Sequence, residues 1–248
     1  QCESVVSWLG DWKPDVIHVH GNHPFTSIGD KLADHFSARI VATVHGWDFD
    51  KGLEGKSRLC ILEALGKLDA LVVVNQTHAD VAVSSGISNE LVHLIPCHVE
   101  VDECWLENVR HINPDSRHLR MLFGANPRRP EKGVQLFKRA VGKLHERGWN
   151  LEIDYLGGLS KEECCNRMSK ADILVLSSER EGSAQVLKEA VACGTRVVST
   201  DVGDARTWLP EISITDQRNP IALAKAIEEA AALDGEKWNI PIHFTANE

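Results

Sequence analysis

ADILVLSSEREGSAQVLKEAVACGTRVVSTDVGD, residues 171–204, changes its pattern three times. DILVLSS (172–178) is a short run of branched apolar residues and reads as a strand buried on both faces. EREGS supplies a polar loop that includes a glycine. AQVLKEAVAC follows, with Val186, Leu187, Ala190 and Val191 on one helical face, and VVST (197–200) is a second buried strand. STDVGDARTWL (199–209) carries that strand into an Asp/Gly loop. A strand, helix and strand in succession imply a parallel sheet with helical crossovers.

The same alternation extends in both directions. Upstream lie a strand LRMLFGA (119–125), a helix over about 132–147 with Val134, Phe137, Val141 and Leu144 on one face, a strand LEIDYLG (151–157) and a helix over 160–170. Downstream, a helix over 220–233 closes the series. Nearer the N-terminus come a helix over 3–10, DVIHVH (15–20), an amphipathic stretch 27–36, RIVATVH (39–45), a helix over 55–67, ALVVV (70–74), a helix over 77–84 and LVHLIP (91–96). Residues 97–118 have no clean period and contain the turn signal Asn113-Pro114-Asp115. The reading is therefore α/β, with two adjacent Rossmann-like, doubly wound parallel-sheet domains, 1–106 and 107–248.

Composition excludes several classes. The 248 residues are 43% hydrophobic and 25% charged, as in ordinary globular chains. Mean hydropathy is −0.20 and no apolar run approaches the length of a membrane span. A formal charge of −9 argues against nucleic-acid binding. Acids outnumber Lys and Arg by 15 to 7 in residues 1–106 but only by 21 to 20 in 107–248, so an anionic ligand belongs in the second half. The seven cysteines (Cys2, Cys60, Cys97, Cys104, Cys164, Cys165, Cys193) form no CxxC and are odd in number, which predicts free thiols and a cytoplasmic compartment. The chain begins at Gln1 rather than Met, which leaves open whether it is a fragment.

Open α/β sheets bind ligands beyond the carboxyl ends of their strands. In GANPRRPEKGVQLF (124–137), Arg128, Arg129 and Lys132 crowd the approach to a helix N-terminus, where cations oppose the helix dipole unless an anion intervenes. That predicts a phosphate or diphosphate there; a solvated basic loop is the plain alternative. In the loop after DILVLSS, Glu181 and Glu189 stand eight residues apart, Gly182 admits close approach, and Ser183 is a candidate N-cap with amides facing an anion. In the first half, His18, His20 and His23 are close in sequence, but nothing completes a recognisable zinc spacing, and the expected metal content is none. Asp48-Phe49-Asp50 has a DxD spacing that is common by chance. His45, at a strand's carboxyl end, is placed to donate to a substrate hydroxyl, or is an ordinary loop histidine. Lys51, Lys56, Arg58 and Lys67 would face a membrane surface weakly, diluted by Glu54 and Glu63.

Together, DVIHVHG, RIVATVHGWD, LDALVVVNQTHADVAVSSGI, LVHLIPCHVEVDE, FGANPRRPEKG and the opening stretch through Asp204 resemble a retaining glycosyltransferase of family 4 over about residues 14–233. The resemblance implies the GT-B fold, two Rossmann-like domains facing across a cleft. It implies a UDP- or GDP-sugar donor, a hydroxyl acceptor (glycan, lipid-linked or small molecule), and no required cofactor or metal. Arg128 or Arg129 and Lys132 would clamp the diphosphate, Glu189 the ribose, and Glu181 would lie by the sugar with the backbone of Gly182 and Ser183. His45 would contact the sugar from the first domain. Where family members begin with a strand and a glycine-rich loop, this sequence starts later. Ile95-Pro96-Cys97-His98 also departs from the family's inter-domain turn. Two alternatives stay open: a nucleotide-sugar epimerase of GT-B architecture, and a non-catalytic or incomplete nucleotide-sugar-binding module. The compartment implied is the cytoplasm, with the inner membrane surface as an option; the sequence leaves the oligomeric state open.

Overall fold

The computed structural model describes residues 2–21, 24–99, 112–233 and Trp238. It divides into two compact units, residues 1–96 and 97–248, each with its own sheet and core. The sequence places the junction between 106 and 107, while the units part after Pro96; residues 100–111 lie outside the described residues.

In the first unit the elements are α1 (Cys2–Leu9), β1 (Val16–His20), α2 (Phe25–Phe36), β2 (Arg39–Val44), α3 (Trp47–Glu54), α4 (Arg58–Leu65), β3 (Ala70–Val73), α5 (Gln76–Ser84) and β4 (Val92–Leu94). All described strand pairs are parallel, in the order β1-β2-β3-β4, with Ile17 opposite Ile40 and Ala42 opposite Leu71. Ile40, Ala42, Val44, Leu71 and Val73 are buried, as the apolar runs require. β1 instead alternates exposed and half-buried residues along its length, as suits an edge position. The helix read over 55–67 is α4, and α3, which the sequence reading missed, precedes it across the extended Gly55; Phe49 and Leu53 anchor α3, Ile61 and Leu65 anchor α4.

The second unit contains β5 (His118–Phe123), α6 (Val134–Glu146), β6 (Asn150–Tyr155), α7 (Lys161–Lys170), β7 (Ile173–Leu176), α8 (Gln185–Ala192), β8 (Arg196–Thr200), α9 (Ala205–Trp208), β9 (Ile214–Thr215) and α10 (Pro220–Ala232). Every residue of β7 and β8 is buried, which is why these runs lack a polar alternation. Ser160 and Glu163 form a capping box that starts α7, and the Asn219 side chain caps α10 ahead of Pro220. β9 and α9 were not read from the sequence, because two and four residues are too short to show a period.

The strand order of this sheet decides where a ligand can go. It runs β6-β5-β7-β8-β9, all parallel, so the chain lays β6 on one side of β5 and then β7 on the other. At such a reversal the loops leaving the two central strands turn to opposite faces of the sheet and open a crevice between them. Those loops are 124–133 and 177–184, the two that the sequence singled out.

Candidate functional site

Small residues and hydroxyls bind the loops at the strand ends to one another. The Ser177 hydroxyl donates to the Gly133 carbonyl at 2.9 Å, and the Glu179 N–H donates to the Glu131 carbonyl at 2.8 Å. Gly133 has φ +72°, and a Cβ there would lie 2.0 Å from the Ser177 carbonyl oxygen, so only glycine fits. The loop after β8 joins in the same way: Gly203 has φ +60°, and its Cβ would lie 2.5 Å from the Gly182 carbonyl oxygen. The Thr200 hydroxyl donates to the Ser178 carbonyl at 2.7 Å. The loops leaving β5, β7 and β8, which are neighbours in the sheet, thus make one continuous rim.

Two of the expected site residues meet on this rim. Lys132 Nζ donates to Glu181 Oε1 at 2.6 Å, with side chains 17% and 16% exposed. Arg129 is held differently, its guanidinium donating to Glu131 at 2.6 Å in an exposed position. This contact and the backbone N–H of Glu131 hold the Glu131 carboxyl below the usual range, the backbone contribution being the larger. Arg128 is exposed, and its backbone N–H donates to the Asn126 side chain at 2.9 Å.

Gly182 is buried in the rim beneath Gly203. The reading of Ser183 as an N-cap is corrected: Ala184 occupies the capping position, without a side-chain bond. The Ser183 hydroxyl instead donates to Asp204 Oδ2 at 2.6 Å and accepts from Lys188 Nζ at 2.7 Å. A buried charge pair outcompetes a partly solvated helix amide for that hydroxyl.

Glu189 lies in the second turn of α8 and is half-buried. Burial raises its pKa above the usual glutamate value, and Lys161 at the start of α7 opposes the rise. An ionised carboxylate offers both oxygens as charge-assisted acceptors, and protonation removes the charge and turns one oxygen into a donor. If Glu189 takes ribose hydroxyls, as the sequence resemblance implies, affinity for such a ligand is expected to fall on acidification at a higher pH than for an ordinary carboxylate. Glu189→Gln is expected to abolish that limb in calorimetric titrations run against pH. Because folding raises this pKa, ionised Glu189 opposes folding at neutral pH. The same variant should therefore melt no lower than the wild type at pH 7 while binding more weakly.

His45 belongs to the first unit, where it directly follows β2 in an exposed position. Its Nε2 lies 2.9 Å from His20 Nδ1, and the two rings stack with centroids 5.2 Å apart. His18 Nε2 lies 2.8 Å from the Thr43 hydroxyl, and burial, followed by the charges of His20 and His45, lowers the His18 pKa. The histidine pattern that raised zinc is thus engaged in protein hydrogen bonds at His18 and His20. His23 and the side chains of Asp48 and Asp50 lie outside the described residues. Among the described residues, no group of three or more His, Cys, Asp or Glu side chains is placed to hold a metal ion.

The sequence reading missed Ser177, Lys188 and Asp204. Lys188 is fully buried and pairs with Asp204 at 2.7 Å. Its signal was present: Ala184, Val191 and Ala192 are its neighbours on the helix surface, and all three are buried. A lysine set in such a face must find an acid within the fold.

The two units match two family models, "Glycosyltransferase Family 4" over residues 2–103 and "Glycosyl transferases group 1" over residues 132–239. A D-inositol 3-phosphate glycosyltransferase of Paenarthrobacter aurescens (strain TC1) is 30% identical over 158 residues, covering 49% of this chain and 37% of that protein. The uncharacterized glycosyltransferase MJ1178 of Methanocaldococcus jannaschii is 26% identical over 221 residues, covering 76% of this chain and 56% of that protein. The chain therefore spans between about a third and somewhat over half of these curated relatives. Among solved structures, Anabaena Alr3699/HepE in complex with UDP and glucose aligns with a TM-score of 0.70 at 14% identity, over 96% of this chain and 73% of that one. Two parallel-sheet α/β domains with such neighbours make the fold GT-B. Among the described residues, no helix is long and apolar enough to cross a membrane, and none of the six described cysteines forms a disulfide.

Proposed function

We propose that this chain, whose two domains match those of the GT-B glycosyltransferases of family 4 and group 1, transfers a sugar from a nucleotide-diphosphate sugar to a hydroxyl acceptor. The observation that carries the proposal is the contact between a cationic loop and a glutamate-bearing loop across the strand-order reversal, through Lys132 and Glu181. Glu181 holds the ammonium at the mouth of the crevice, where a diphosphate would find it already desolvated and aimed. Arg128 or Arg129 adds a planar fork for phosphate oxygens. Glu189 takes the ribose hydroxyls, and the Gly182–Ser183 backbone faces the sugar. His45 of the first domain donates to a sugar hydroxyl. UDP and GDP are the donor bases to test, and the UDP of the Anabaena structure favours starting with UDP.

In the reaction the bond from the anomeric carbon to the diphosphate oxygen breaks, and negative charge grows on the leaving group. Preorganised cations are worth most there, on the order of 2–4 kcal/mol for each good contact. The acceptor oxygen bonds to the anomeric carbon from the same face, and its proton passes to the departing phosphate, which retains the configuration. Glu181 is not assigned as a covalent nucleophile, since its carboxylate is engaged by Lys132. Arg and Lys provide the positive charge that a divalent ion provides elsewhere, so the reaction is read as metal-independent. The absence of disulfides among the described cysteines supports a cytoplasmic setting, and exposed Leu59 beside Arg58 is one feature available for weak membrane contact.

Incubation with radiolabelled UDP- and GDP-sugars tests the proposal. Release or transfer of labelled sugar is expected. An isomerised sugar nucleotide would mean an epimerase, binding without turnover a non-catalytic module, and neither binding nor turnover would overturn the donor site itself.

A further inference from the structure

We propose that Lys188 is a positioning residue of the donor site: its ion pair with Asp204 ties down the Ser183 side chain and so fixes where the Gly182–Ser183 backbone amides point. The inference rests on the transferase reading above. Lys188 Nζ donates to Asp204 Oδ2 at 2.7 Å, to the Ser183 hydroxyl at 2.7 Å and to the Cys97 carbonyl. The Ser183 hydroxyl donates in turn to the same Asp204 oxygen at 2.6 Å and closes a triangle. Its one proton is thereby committed, and what residue 183 can offer an incoming anion is its main-chain N–H.

The cluster is arranged for direction more than for stability. Asp204 Oδ1 is buried with no hydrogen-bond partner among the described residues, while Oδ2 accepts from both Lys188 and Ser183. A pair built only to stabilise the fold would satisfy both oxygens, and an apolar side chain among Ala184, Val191 and Ala192 would avoid the desolvation altogether. What the lysine adds is a fixed anchor under the β7–α8 loop. The same helix also holds the start of the second unit, through Lys188 to Cys97 and through Gln185 Nε2 to the His98 carbonyl at 3.1 Å. From the other side, Gly203 packs against the Gly182 carbonyl, so the short segment bearing the amides is clamped from both directions.

The test compares the wild type with Lys188→Met/Asp204→Asn, which removes both charges together, and with Ser183→Ala, which keeps the ion pair and cuts only the tie. Three quantities are measured: the melting temperature, hydrogen exchange of the Gly182 and Ser183 amides by NMR without ligand, and hydrolysis of UDP-glucose and GDP-mannose. Both variants are expected to exchange faster at these two amides than the wild type. Donor hydrolysis is expected to fall about 10- to 100-fold, the scale of a small misplacement at a reacting centre, while Ser183→Ala melts close to the wild type. Unchanged exchange in Ser183→Ala overturns the inference even if the double variant does not fold. Faster exchange with unchanged hydrolysis overturns it as well, leaving Lys188 a structural residue. If the wild type processes neither donor, the transferase reading fails, and the exchange comparison still decides whether the tie exists.

Discussion

Lys132→Ala is expected to lower turnover of a nucleotide-sugar donor by about two to three orders of magnitude, the usual effect of deleting one preorganised group at a developing charge. Two effects combine. The variant removes the cation at the diphosphate, and it leaves Glu181, 16% exposed, without the ammonium 2.6 Å away. An unpaired carboxylate would then face the phosphates and repel them. Nucleotide-diphosphate affinity should weaken by about 1.5–3 kcal/mol, the range for a hydrogen bond to a charged group. The double variant Lys132→Ala/Glu181→Gln is expected to recover part of that loss, because the repulsion goes with the charge. Such coupling is the signature of two groups in direct contact. Calorimetry on the two variants and the wild type checks it, and unchanged affinity in Lys132→Ala would remove Lys132 from the site.

Gly133→Ala is expected to be the most damaging single methyl in the second unit. The residue combines φ +72° with a Cβ position 2.0 Å from the Ser177 carbonyl oxygen, a backbone atom that cannot swing aside. Left-handed strain alone costs about 1–3 kcal/mol, and separating the loops to relieve the clash would break the Ser177 hydroxyl bonds to the Gly133 and Lys132 carbonyls. A loss of about 3 kcal/mol or more in urea denaturation is expected, together with loss of nucleotide binding. Gly158→Ala is the control. That glycine has φ +80° but nothing within 4 Å of its Cβ position, so the variant should lose only the strain and keep its binding.

The central strands were legible because parallel sheets covered on both faces leave a plain chemical trace: DILVLSS and VVST have no polar alternation since no residue of β7 or β8 meets water. Helix α6 was legible for a similar reason, with Val134, Phe137, Val141 and Leu144 all buried on the face that the spacing indicated. What failed was local or short. Helix α3 was missed because WDFDKGLE carries Asp48, Asp50, Lys51, Gly52 and Glu54 among only three apolar residues, too few to show a face, whereas the apolar RLCILEAL of α4 was read. The site was legible as two separate loops. That Lys132 and Glu181, 49 residues apart, would touch could not be read from either loop, since it follows from β6 and β7 flanking β5 on opposite sides. Strand order is set by packing across the whole sheet and leaves no trace in any one stretch of sequence. Ser183 was misassigned for the same reason: its partners Lys188 and Asp204 come from the next helix and the next strand's loop.

A crystal structure of the complex with UDP, or with GDP if UDP does not bind, tests the central claim most directly. The account expects the diphosphate in the crevice beyond the carboxyl ends of β5 and β7, with a phosphate oxygen within hydrogen-bonding distance of Lys132 Nζ and the ribose against Glu189. A nucleotide bound elsewhere on the chain, with the Lys132–Glu181 pair untouched and no phosphate beside it, would contradict the account.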